Sequence, residues 1–529
     1  MDVNKSGDFV RQAAILAGAS ILVRILGFVY RVPLTNIIGD VGNAYYIAAF
    51  RIYTTAIIIT SGALIAVLSK LTSERIALRN YKNAHALFKR AMGFAVFIGI
   101  LTCIGLFLGA DIIADWVGLP NASYSIRALS PAAFFVSILV VFRGYFQGLK
   151  TAKPTAISQV IEQIVKITLA LVLVIILNHS YGVVRAAAGA AFATSVSVLA
   201  ALITVFVIYM KRRKAITKNF AEDFSEPESR FKHFRVLLYT SFPIVFGFAL
   251  ASAVGIIDLT MATNLISGYY FDDTDVRIFI GQFEGKFTLL VTLPVSMSMA
   301  IASAVLPEIS SSSISKDMVR VREKINMALR LSMILSFPSA VGISVLAAPI
   351  LSLLFPAHPD GWELLAIGGG SIIFMSVVHV TTSALQGIGK IAIPLAGAVV
   401  GLIVKIPVNL ILMPNPNFNI QGAVISTLLF FVVGSVFNLV FLYKYTRIFP
   451  DVKSVFLKPF IASVIMGGLA FGVYSVISEF ISSSISTILA IGFGAVVFVI
   501  MMKVIKGFMM CDMEALPIPN RIKKFLCSS

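Results

Sequence analysis

The chain has 529 residues, of which 58% are hydrophobic and only 13% charged, and its mean hydropathy is +0.93. Soluble domains carry about 25% charged and about 45–50% apolar residues, so a soluble enzyme, a secreted disulfide scaffold and a disordered chain are all excluded. The net charge of +18 gathers in alternate loops, which is the positive-inside pattern of a membrane protein and not the footprint of a nucleic-acid partner.

Apolar windows of ~20 residues predict about fourteen transmembrane helices. Six are expected near 10–35, 43–69, 91–112, 129–149, 154–178 and 185–210, and six more near 236–263, 279–306, 327–355, 363–388, 391–413 and 420–444. Two trailing spans fall near 455–478 and 483–506. The N-terminal MDVNKSGDFVRQ runs into the first span with no A-x-A cleavage pattern, so no removable signal peptide is expected.

The loops alternate in charge. Lys70, Arg75, Arg79, Lys82, Lys89 and Arg90 lie between spans two and three. Lys211, Arg212, Arg213, Lys214, Lys218, Arg230, Lys232 and Arg235 lie between six and seven, and Lys316, Arg320, Arg322 and Lys324 between eight and nine. The intervening loops at 36–42, 264–278 and 414–419 are acidic or nearly uncharged. Both termini are therefore expected in the cytoplasm, with an even number of spans.

The chain also repeats itself. FQGLKTAKPTAISQVIEQIVKI at 146–167 aligns without gaps on LQGIGKIAIPLAGAVVGLIVKI at 385–406, at an offset of 239. Gln147 pairs with Gln386, Gly148 with Gly387, and the IVKI at 164–167 with that at 403–406. Because the offset spans six predicted helices, both copies cross the membrane in the same direction. The expected fold class is all-α and polytopic: two parallel six-helix lobes, 1–234 and 235–450, then two trailing helices and a basic tail at 451–529. Secondary transporters built this way place their substrate near the midplane between the lobes.

An Arg or Lys at the bilayer centre costs about 2.5–3.5 kcal/mol even on the most lenient scale, which marks each one as a functional candidate. Arg24 sits deep in the first span, and Arg31 follows two helical turns later on the same face. Arg51 and Arg143 repeat the theme in spans two and four. Gln159, Glu162, Gln163 and Lys166 form a polar stripe at i, i+3, i+4 and i+7 on an otherwise apolar helix, a pattern that lipid rejects. An internal pair between Glu162 and Lys166 is the bland account of that stripe. Lys405 is the repeat partner of Lys166, and Lys286 stands with Gln282 and Glu284 in span eight. These cations outnumber the membrane-depth anions Glu162, Asp258 and Glu284, so the expected cavity is positive and selects phosphates or carboxylates.

Other chemistry finds no support. No phosphate loop of the form G-x-x-x-x-G-K followed by Ser or Thr exists, since GQFEGKF at 281–287 falls one residue short. The five histidines (His85, His179, His233, His358, His379) lack metal-ligand spacing, and Cys103, Cys511 and Cys527 form neither a disulfide framework nor a zinc site. No enzyme and no ATP-driven pump is expected. Pro243, Pro294, Pro338, Pro394, Pro407 and Gly-Gly-Gly at 368–370 are expected to interrupt helices, as hinges or through packing.

Several segments resemble a known family. RILGFVYR at 24–31, NIIGDVGNAYY at 36–46, RGYFQGLKTAKPTAISQVIEQIVKI at 143–167 and KIPVNLILMPNPNFNIQGAVIST at 405–427 are similar to oligosaccharide-lipid flippases of the multidrug/oligosaccharidyl-lipid/polysaccharide exporter superfamily. Within it they resemble the branch that holds stage V sporulation protein B and the lipid II flippases. That resemblance implies a fourteen-helix, MATE-like transporter in the bacterial plasma membrane. It would turn an undecaprenyl-pyrophosphate-linked saccharide, first of all the peptidoglycan precursor lipid II, toward the outer leaflet for the cell-wall synthesis machinery. It further implies that Arg24 and Arg31 meet the pyrophosphate and sugar, with Lys286 near a third basic position. Some relatives hold a sodium ion in the C-terminal lobe, and by position Asp258, Asn409 and Thr427 would be its ligands here. Lys405 lies one turn before Asn409, where an ammonium could replace that ion or repel it. The alternatives are a flippase for teichoic or capsular lipid-linked glycans and a multidrug or cation antiporter, the latter calling for buried carboxylates instead.

Overall fold

A computed structural model describes residues 3–62, 64–218, 223, 245, 249, 252–266, 271–447 and 449–508. The expected boundary at 234/235, Arg230, Lys232, His233, Arg235, Pro243, and Cys511 and Cys527 in the basic tail lie outside the described residues. All regular structure among the described residues is helical.

The first helical run, α1 (Val3–Ser61), contains a single break, at Gly39 with φ 66° and ψ −175°. That combination is essentially restricted to glycine. Two residues twenty apart on one straight helix would stand about 30 Å from each other. Yet the Lys166 ammonium lies 6.0 Å from the Tyr30 ring centroid and 4.7 Å from that of Phe50. The chain therefore doubles back at Gly39, and α1 is two spans joined by the tightest of turns. Pro33, inside the first arm, does not break it.

Eleven described helices are long and apolar enough to cross a bilayer, or twelve if a bent pair counts as one span. That count takes Leu22–Ala77 as one span, although it holds both arms about Gly39. It also leaves out α8 (Ser252–Ile266), the described part of the predicted seventh span. With those two restored, the helices match the fourteen expected.

The chain divides into two compact units, Met1–Asn264 and Leu265–Ser529. α8 packs on the first unit: the Thr263 hydroxyl donates to the carbonyl of Val117, and Ser252 hydrogen-bonds Thr55. Besides α1 and α8, the first unit contains α2 (Leu64–Ala77), α3 (Tyr81–Leu108), α4 (Ala110–Trp116), α5 (Ala122–Gly148), α6 (Lys153–Tyr181) and α7 (Val183–Lys218). The outward faces are apolar, as on α3 with Leu101, Ile104 and Leu108 exposed, a surface suited to lipid and not to water.

The second unit opens with α9 (Asp273–Ile280), whose Asp272 cap accepts the amides of Thr274 and Asp275 at 2.7 and 2.8 Å. A π-helical turn at Gly281–Phe287 leads into α10 (Thr288–Ile314), followed by α11 (Met318–Val345) and α12 (Ala347–Leu354). The Gly-rich stretch at 368–370 bends the next span by 50° between α13 (Trp362–Gly368) and α14 (Ser371–Gly387). Pro294, Pro338 and Pro407, by contrast, lie inside continuous helices. The unit ends with α15 (Ala392–Leu412), α16 (Gln421–Thr446), α17 (Lys458–Ile477) and α18 (Ser483–Val504). Its core takes Val321, Ile325, Leu329 and Met333 from one stripe of α11, packed with Ile309 of α10 and Ala384 of α14.

The repeat read from the sequence recurs in the backbone. After α5, the amides of Lys150 and Thr151 bond the carbonyls of Gln147 and Phe146 at 2.9 and 3.0 Å. After α14, Gly389 and Lys390 bond Gln386 and Leu385 at 2.9 and 2.8 Å. Both turns place a positive φ at the matched position, 56° at Lys150 and 79° at Gly389. This is the same Schellman closure twice, 239 residues apart.

Candidate functional site

The polar stripe of α6 faces the two arms of α1. Lys166 projects between them, its ammonium over the Phe50 ring and beside Tyr30, and the Tyr46 hydroxyl neighbours both Lys166 and Tyr30. Arg31 adds its charge to the same neighbourhood. Gln163 lies one position along the stripe, its amide nitrogen 3.3 Å from where a side chain on Gly27 would begin. Arg51 lies against Gly255 of α8. Arg24 is exposed, while Arg31, Arg51, Gln159 and Lys166 are half-buried.

Glu162 does not pair with Lys166. Its carboxylate accepts from the Arg143 guanidinium of α5 at 2.8 Å, and the Arg143 Nε donates to the Ser158 hydroxyl at 3.0 Å. Arg143 thus cancels the charge of Glu162 from the neighbouring helix. Among the described residues, no carboxylate stands within ion-pair distance of Arg24, Arg31 or Lys166. A cation over an aromatic ring gains about 0.5–2 kcal/mol, less than the cost of holding a lysine at membrane depth, about 2.5–3.5 kcal/mol. The rings position the ammonium, and an anion can supply the rest.

The other two lysines belong to the second unit. Lys286, in the π-helical turn, is 1% exposed and donates to the carbonyls of His358 and Asp360 at 2.7 and 3.0 Å. Glu284 and Gln282 are buried in the same turn. Lys286 therefore pins the loop between α12 and α13. Lys405, in the middle of α15, is fully buried, and its ammonium donates to the Thr427 hydroxyl of α16 at 2.6 Å, with the Phe430 centroid 5.9 Å away.

The sodium set implied by the resemblance fits poorly. Lys405 stands among the expected ligands, one turn before Asn409, and would set its ammonium beside the ion. The Thr427 hydroxyl already accepts the Lys405 proton. Among the described residues, no cluster of three His, Cys, Asp or Glu side chains could hold a metal ion.

The aromatic residues around Lys166 escaped the reading of the sequence. Tyr46, Phe50 and Tyr53 recur at three- to four-residue spacing along the second arm of α1, with ring centroids 6.0 and 5.9 Å apart in sequence along the face. On an apolar helix such spacing reads equally well as core. Only their place opposite a lysine separates the two.

Residues 9–313 match the family described as polysaccharide biosynthesis protein, more than half of the chain. The chain belongs to that family. Among curated proteins it is 25% identical over 458 residues to the lipid II flippase MurJ of Bacillus subtilis (strain 168), covering 83% of each chain. It is 24% identical over 527 residues to stage V sporulation protein B of the same organism, covering 97% of this chain and 98% of that one. The fold superposes on the inward closed conformation of the lipid II flippase MurJ with a TM-score of 0.70 at 17% identity, covering 93% and 98% of the two chains. The chain therefore has the all-α, polytopic, MATE-like fold expected of it.

Proposed function

We propose that this protein is a flippase that carries an undecaprenyl-pyrophosphate-linked saccharide from the inner to the outer leaflet of the bacterial plasma membrane by alternating access. The peptidoglycan precursor lipid II is its first candidate cargo, delivered to the cell-wall synthesis machinery. The observation that carries this reading is Lys166, held between Tyr30 and Phe50 beside Arg31 while Arg143 neutralises Glu162. Arg24, Arg31, Arg51 and Lys166 offer charge to a pyrophosphate, and Gln159 and Gln163 on the same stripe offer hydrogen bonds to sugar hydroxyls. The similarity to a lipid II flippase over 83% of the chain supports the same cargo class. A cation antiporter is disfavoured because the stripe's one carboxylate is already neutralised.

Native mass spectrometry of the purified protein offered lipid II, a teichoic precursor and undecaprenyl phosphate tests this reading. Retention of lipid II above the others, lost in Lys166→Ala and in Arg24→Ala, is the expected result. Equal retention of all three would leave the glycan open between peptidoglycan and teichoic or capsular precursors. No retention of any would overturn the flippase reading in favour of an antiporter.

A further inference from the structure

The two repeat copies differ in what surrounds their shared lysine. Gln159, Glu162 and Gln163 in the first copy correspond to Ala398, Gly401 and Leu402 in the second, yet Lys166 corresponds to Lys405. One cation survives where its polar company is gone. The replacement of a Glu position by Gly401 matters sterically: a side chain there would begin 2.8 Å from a Phe430 ring carbon. The missing side chain admits the ring that stands 5.9 Å from the Lys405 ammonium. Thr427, three residues before Phe430 on the same face of α16, accepts the ammonium proton at 2.6 Å. Lys405 thus has a seat of its own, closed from solvent, while Lys166 stays half-exposed.

We propose that the Lys405 ammonium is a built-in cation of the second unit, seated on Thr427 and Phe430 in the position of an alkali ion, so that this protein neither binds nor needs sodium. A sodium ion at Thr427 would share the hydroxyl that already accepts from Lys405, and would sit against a like charge in a low-dielectric interior. A tethered ammonium provides the same positive charge without an ion to bind or release.

The test is thermal unfolding of the purified full chain in lipid nanodiscs, in sodium, potassium or choline chloride at equal ionic strength. The wild type is expected to melt at one temperature in all three, and so is Lys405→Arg, which keeps the charge. Lys405→Gln empties the seat, and its Tm is expected to rise by about 2–4 °C in sodium alone. A saturable, sodium-specific rise in the wild type overturns the proposal. So does a Lys405→Gln chain that melts alike in all three salts, or that cannot be recovered folded in sodium or potassium buffer. The readout is a melting temperature and does not depend on the glycan carried, so a failure of lipid retention with this salt pattern intact counts against the flippase reading alone.

Discussion

At the scale of single residues, charges in this protein are sorted by what answers them. Arg143 and Glu162 answer each other across α5 and α6, Lys286 is answered by two backbone carbonyls, and Lys405 by a hydroxyl. Among the described residues no carboxylate answers Lys166, which has aromatic rings, a phenol and the charge of Arg31 near it, and this is why an external anion is the natural complement. The Arg143–Glu162 pair makes this arrangement possible, since an unneutralised Glu162 one turn away would claim the Lys166 ammonium. Removing one partner of a buried pair typically destabilises by 3–5 kcal/mol. Glu162 keeps 28% side-chain exposure, which places Arg143→Met at the low end, about 3 kcal/mol. Its Tm should fall well below wild type, and Arg143→Met with Glu162→Gln should recover most of the loss. A double variant as unstable as the single would mean that packing, not charge, sets the cost. The pairing itself was not legible in the sequence, because Arg143 and Glu162 are nineteen residues apart and the i,i+4 neighbour offered a closer candidate.

At the scale of elements, two departures from regular helix do the positioning. The reversal at Gly39 folds Tyr30 and Phe50 to either side of one ammonium, and the π-helical turn at Gly281–Phe287 buries Lys286 inward. An extra residue in a helical turn rotates the side chains that follow it, and such turns recur at functional sites. Here the rotated lysine reaches the loop between α12 and α13. Lys286→Met keeps the bulk and removes both donors, so hydrogen exchange at 355–361 should quicken severalfold while the α11 core at Val321–Met333 keeps its protection. Unchanged exchange in that loop would show that Lys286 does not hold it. An apolar window placed Lys286 in span eight, but hydropathy carries no phase and cannot reveal where the 3.6-residue period slips.

At the scale of the whole molecule, the orientation rests on charge in loops, a property of the entire chain and not of any site. Ser315 lies in an exposed turn of the basic loop after α10, and Thr274 in the exposed start of α9 beside three aspartates. With Cys103, Cys511 and Cys527 replaced by serine, a cysteine at 315 should react with an impermeant thiol reagent only after the membrane is opened. A cysteine at 274 should react in intact cells. The opposite labelling would invert the topology and, with it, the direction of transport proposed here. The repeat is the other whole-chain feature, and its identical helix-ending turns at Lys150 and Gly389 show that the duplication governs backbone as well as sequence.

The sequence alone determined the membrane class, the helical fold, the repeat and the stripe on α6. Each of these follows from a local rule, since a bilayer demands about 20 apolar residues per span and a helix returns to the same face every three to four residues. Tertiary structure alone decided which charges are taken. Glu162 is paired from another helix, Lys286 is spent on a loop, and Lys405 is seated on Thr427 while its copy Lys166 remains half-exposed between two arms of α1. A charge's partner is set by distance in space, and two identical IVKI segments acquire different neighbours because different helices fold against them.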